Sequence, residues 1–161
     1  MPGPVTRNFS YEAEAFRSYC QRQFEAPLQY NFDSVAIVDG ILGEAYESLK
    51  GMNEAEAWTY LNNMTLAAGA FLGEVLVRNN VGAWWCSGDA SRLQDWGVKS
   101  EPNAPGPRTV SVFQAVYSFL QKGPAETLLA LVAPYLKTDG KWAEVETPRT
   151  PTKRNAKARA R

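Results

Sequence analysis

Apolar positions recur at helical spacing along most of the chain, and that pattern predicts most of its elements. Between residues 10 and 24, Tyr11, Ala15 and Tyr19 form one stripe and Phe16, Cys20 and Phe24 an adjacent one, each at a spacing of four. Pro27 ends this first helix. Asp33 and Ser34 are cap residues for a second helix running to about Lys50, with Val35, Val38, Leu42, Ala45 and Leu49 on one face. Gly51 stands where a glycine following a helix terminus is expected. The longest pattern comes next. Asn53 with Glu56 three residues on resembles a capping box in which Asn replaces Ser or Thr. From there Trp58, Leu61, Met64 or Thr65, Ala68, Leu72 and Val75 keep helical period to about Arg78.

The middle of this third helix, Ala67-Ala68-Gly69-Ala70-Phe71-Leu72-Gly73, is built largely from small residues. Each glycine costs a helix about 1 kcal/mol relative to alanine, so two of them four apart imply close approach by another backbone. The period then changes. Val81 to Cys86 is short and aromatic and predicts a strand; Trp96 to Lys99 predicts a second, with Ser87–Asp95 as the hairpin loop. Three prolines and a glycine make 101–108 a rigid loop that ends the sheet, unless Val110 extends a third strand. Ser111 with Gln114 offers a capping box for a fourth helix through Val112, Val116, Phe119 and Leu120. Gly123 closes it and Pro124 opens a fifth carrying Leu128, Leu131, Val132 and Tyr135, bent or ended by Pro134. Asp139-Gly140 turns the chain, and Trp142 and Val145 pack back. The predicted class is α+β: a helix-dominated single domain of about five helices with a small antiparallel sheet near 81–100. A flexible arm (1–8) precedes the globular part (9–146), and a basic disordered tail (147–161) follows it.

Charge sharpens that division. Lys plus Arg equals Asp plus Glu, at 17 each, yet the last 13 residues carry six bases and no acid. The remainder therefore holds 11 bases against 17 acids. An acidic body carries a basic tail, an asymmetry that bears on partners rather than on fold. No stretch reaches the length of a membrane span, and no apolar run follows the first residues as in a secretory signal, so a cytoplasmic protein with no membrane partner is expected.

Histidine is absent, which excludes Ser-His and Cys-His nucleophile pairs, an imidazole base and His-ligated zinc. Two cysteines, Cys20 and Cys86, make neither a four-cysteine metal site nor a disulfide framework. No phosphate loop, calcium loop or nucleophile elbow occurs; no catalytic residue, metal site or cofactor is assigned. Carboxylate chemistry remains, with Glu44, Glu47, Glu74, Asp89 and Asp95 as candidates. Glu74 stands out beside the Trp84-Trp85 pair, although Glu74 and Arg78 also have the spacing of a helix ion pair. Consecutive strand residues point to opposite faces, so one of Trp84 and Trp85 can enter the core while the other anchors a partner.

Residues 68–76, followed by Gly82-Ala83-Trp84, resemble a loose group of small uncharacterised bacterial domains in which a G-x-x-x-G-E helix runs into a G-x-W strand. The resemblance spans about residues 55–135, implies a bacterial source and the same element order, and brings no activity with it. By analogy, proteins of this size and character include immunity proteins and adaptors. Three functions follow as expectations. The first is a non-enzymatic protein-interaction module using an acidic surface and the aromatic hairpin, with Trp84, Trp85, Trp96, Asp89, Asp95, Glu74 and Arg78 as partner-binding residues. The second is a nucleic-acid accessory protein acting through Lys153, Arg154, Lys157, Arg159 and Arg161. The third is a carboxylate-dependent hydrolase built on Glu74.

Overall fold

The computed structural model describes residues 9–138 together with 141 and 142. The predicted arm, the Asp139-Gly140 turn, Val145 and the basic tail lie outside the described residues. Among those described, five α-helices accompany a small three-stranded antiparallel sheet, as the α+β reading expects. The helices are α1 (Ser10–Phe24), α2 (Phe32–Leu49), α3 (Glu54–Arg78), α4 (Val112–Lys122) and α5 (Leu128–Val132). The strands are β1 (Gly82–Cys86), β2 (Trp96–Ser100) and β3 (Thr109–Val110), in that spatial order; a two-stranded ribbon joins β4 (Lys137–Thr138) and β5 (Lys141–Trp142). No described helix is long and apolar enough to cross a membrane.

The core is organised around α3. Its residues from Ala68 to Leu76 are all buried, so this stretch has no solvent face at all. That is why small residues fill it: α1 and α4 flank it, and the sheet closes over it. Only one side of the sheet packs inward. The register pairs Trp84 with Val98 and Cys86 with Trp96, and β2 pairs Val98 with Val110. Trp84, Trp96, Val98 and Val110 therefore share the inner face, while Ala83, Trp85, Lys99 and Thr109 face outward.

What seats the sheet is a set of aromatic rings rather than a backbone contact. A Cβ at Gly73 would lie 2.0 Å from Cη2 of Trp84, and one at Gly69 would lie 2.3 Å from Cδ1 of Phe113. The two glycines of α3 are thus sockets for side chains, which corrects the expectation of a neighbouring backbone. Phe9, fully buried, wedges among Trp84, Phe113 and Trp96, with centroids 4.6, 4.9 and 5.6 Å away. Backbone proximity appears instead inside the sheet, where a Cβ on Gly82 would meet the Lys99 carbonyl oxygen at 2.0 Å.

Several termini differ from their sequence signals. Asn31, not Asp33 or Ser34, caps α2: its Oδ1 accepts from the Ser34 amide at 2.8 Å, while the Ser34 hydroxyl accepts from the Gln29 amide. Asn53 caps α3 as predicted, accepting from the Glu56 amide at 2.9 Å. Ser111 makes no side-chain cap, so the Ser-x-x-Gln box is not formed. Gly123 ends α4 with a positive φ of 92°. Pro124 does not open α5; Thr127 caps it three residues later, and the Asp39 carboxylate reaches from α2 to accept the Leu128 and Leu129 amides at 2.7 and 3.0 Å. Burial raises the Asp39 carboxyl above its usual range, against those two bonds. Tyr11, Ala15 and Trp58 fall on exposed sides of their helices although each lies on a predicted apolar stripe.

Replacing Gly73 by Ala is expected to destabilise the chain by about 1–3 kcal/mol through overpacking against Trp84. Gly40, on the exposed side of α2 with nothing within 4 Å, is the opposite case. Gly40→Ala is expected to stabilise by about 0.5–1 kcal/mol. Denaturant unfolding of both variants checks the pair; equal effects would contradict the socket. Cys20 is fully buried, and burial pushes its thiol up to about 12. A disulfide reagent at mildly alkaline pH should therefore titrate the half-buried Cys86 and spare Cys20 until the chain is unfolded.

Candidate functional site

Glu74 follows the Gly73 socket on α3 and is 3 % exposed. A carboxylate so placed needs donors for both oxygens, and it has them. The Trp84 indole Nε1–H donates to Oε2 at 2.8 Å, and the Ser10 hydroxyl donates to Oε1 at 2.7 Å. Arg78, one turn on, donates through Nε to Oε1 at 3.2 Å, and its guanidinium completes the ion pair. One side chain thereby ties the start of α1, the body of α3 and the first strand together. Among the described residues, the groups that hold it are all donors. The arrangement is that of a structural tie: among the described residues the carboxylate is closed in by donors and faces no second acid.

The tie continues outward. Arg78 lies over the Tyr30 ring at 3.7 Å from its centroid, and Arg17 lies 5.0 Å from it. Tyr30 stacks on Phe71, and its hydroxyl donates to Glu14, which also pairs with Arg17. Burial pushes the Tyr30 hydroxyl up to about 12, with the Glu14 bond acting in the same direction, and that bond holds Glu14 below the usual carboxylate range. Asn79 pins the same loop by donating to the Tyr30 carbonyl at 2.9 Å.

The tryptophans separate by role. Trp96 is 1 % exposed and donates its indole N–H to the Ala90 carbonyl; it is a core residue with no surface to offer a partner. Trp84 is half-buried in its socket. Trp85, on the outer face, is 36 % exposed with the Lys99 ammonium 5.1 Å from its ring. Asp89 and Asp95 build the hairpin tip: Asp95 Oδ2 accepts the Asp89 amide at 2.8 Å, and Asp89 Oδ1 accepts the Ser91 hydroxyl and amide. The hydroxyl bond is the larger cause of the lowered Asp89 carboxyl. Of the predicted partner residues, Trp85, Asp89 and Arg78 are thus presented to solvent, although Arg78 is engaged by Glu74 and Tyr30; Asp95 and Trp84 are half-buried, and Glu74 and Trp96 are held inside. Lys153, Arg154, Lys157, Arg159 and Arg161 lie outside the described residues.

The motif noted in the sequence has a physical meaning in this chain. Gly69 receives Phe113, Gly73 receives Trp84, Glu74 accepts the Trp84 N–H, and Gly82 lets β2 approach. Gly73, Glu74 and Trp84 dock the sheet on α3, Gly69 seats α4 through Phe113, and Gly82 serves strand pairing within the sheet. Sequence reasoning missed Tyr30, Phe9 and Asp39, because what gives them roles are partners distant along the chain. No protein-family model, no curated protein and no solved structure matches the chain.

Glu74→Gln keeps the size but removes the charge that Ser10, Trp84 and Arg78 complement. It is expected to cost about 1–3 kcal/mol and to alter the near-UV signal of the tryptophans. A loss within about 0.5 kcal/mol, typical of a surface site, would contradict the tie.

Proposed function

We propose that the chain is a non-enzymatic protein-interaction module, of the adaptor or immunity-protein type, and that it meets its partner on the outer face of the β1–β2 hairpin. The observation that supports this reading is Trp85, an indole left on the solvent side of a strand whose other aromatic is sunk into the core. Aromatic anchors of this kind carry a large share of the affinity at protein interfaces. β1 is also an edge strand, which offers main-chain hydrogen bonds to an added strand. Lys99 over the ring adds a donor beside the anchor, and the excess of acids over bases in residues 1–148 favours encounter with a basic partner. The closed shell around Glu74 favours this reading over a hydrolase.

Affinity capture from the source cells with the wild-type chain and Trp85→Ala tests it. A stoichiometric protein partner retained by the wild type and reduced about tenfold by Trp85→Ala, with unchanged thermal stability, is expected. The reading fails if Trp85→Ala retains the partner fully. It also fails if replacing Lys153, Arg154, Lys157, Arg159 and Arg161 by Gln abolishes all binding while Trp85→Ala does not.

A further inference from the structure

A second surface lies away from the hairpin's outer face, along the seam between α3 and α4. Two clefts follow one another there, of about 510 and 430 Å³. The first is lined by Asn62, Thr65, Gln94, Gln114, Tyr117 and Ser118, over an apolar base of Leu93 and Phe113. It contains no charged side chain. The second opens beside Trp58, between Leu61, Leu120 and Gln121, and is also lined by Glu54 at the start of α3 and by Lys50, which pairs with Glu47. Gln121 donates to the Tyr117 hydroxyl at 3.1 Å, which joins the two. Trp58 is 68 % exposed, and Tyr117, where the two clefts meet, is also exposed.

One group at this place is out of balance. Thr65 is 5 % exposed, yet its Oγ1 has no hydrogen-bond partner, the one such buried side-chain atom among the described residues. A helical threonine ordinarily bonds back to the carbonyl one turn earlier. Leaving a buried hydroxyl unpaired opposes folding, so a partner supplied from outside gains more here than at a solvated site. Thr65 lines this cleft together with Asn62, Gln94 and Gln114, whose side-chain amides surround the place where its hydroxyl is buried.

Carboxamides and hydroxyls that both donate and accept, with no charged side chain lining the Thr65 cleft, and an aromatic face in the adjoining one describe what an uncharged sugar chain requires: its hydroxyls pair with the amides, and the C–H face of its rings lies on an aromatic. Trp58 and Thr65 are seven residues apart on α3, about 10 Å of helix, which accommodates more than one ring. We propose that the α3–α4 seam is a binding site for a neutral oligosaccharide, with Trp58 as stacking platform and the amide-rich cleft at Thr65 as the hydrogen-bonding subsite.

The test is an array of neutral and anionic oligosaccharides probed with the full chain, followed by calorimetry on the strongest binders. Saturable binding of a neutral oligosaccharide is expected, weakened about tenfold by Trp58→Ala. Thr65→Val should also weaken it while raising rather than lowering the melting temperature, because it removes an unpaired hydroxyl. Trp85→Ala should leave it unchanged, which separates this site from the hairpin. The proposal is overturned if no neutral oligosaccharide binds, if only anionic ones do, or if binding survives both seam substitutions. Loss of a protein partner with Trp58→Ala, without glycan binding, overturns it as well and assigns the seam to that partner.

Discussion

The seat of Trp84 on α3 is the contact from which the rest of the structure follows. Its indole occupies the space a side chain at position 73 would fill, and its N–H ends on the carboxylate of the next residue. Shape and polarity are thus satisfied by two consecutive residues of one helix. With Trp84 fixed, the period of two along β1 sends Trp85 outward and aligns Trp96 and Val98 behind it. The same carboxylate holds Ser10, which places α1 against α3, and Phe9 beside it fills the gap between the indole and Phe113. A buried carboxylate is tolerable only while all its donors are present, so this tie specifies geometry as much as it stabilises.

Much of the fold was legible because it is local. The period of 3.6 marks α1 to α4, the Asn53 cap and the Gly123 stop are encoded within a few residues, and the aromatic alternation at 84 and 85 distinguishes a strand. What was not legible depends on residues far apart. Nothing near Asp39 indicates that it caps a helix some 90 residues away. The glycines at 69 and 73 signal close approach, but a ring and a backbone leave the same sign in a sequence. Trp58 and Tyr11 satisfy an apolar stripe, and only the position of neighbouring helices decides that they stay outside.

The candidate site divides along the same line. Glu74, Arg78 and Trp84 attracted attention because an acid beside aromatics suits chemistry, and the tertiary structure uses all three to join layers. Surfaces free of that duty are the outer hairpin face with Trp85 and Lys99 and the amide-rich seam from Trp58 to Gln114. Their chemistries differ: one offers an aromatic anchor on an edge strand, the other amides and hydroxyls around an unpaired threonine.

The central claim is that Glu74 and Trp84 act as one unit, and a double-mutant cycle measures that directly. Glu74→Gln and Trp84→Phe are combined, and the unfolding free energies of the four proteins are compared. Removing the indole N–H should make the loss of the carboxylate less costly, giving a coupling of about 1–3 kcal/mol. Additivity within about 0.3–0.5 kcal/mol would mean the two residues stabilise the chain independently, and would contradict the account.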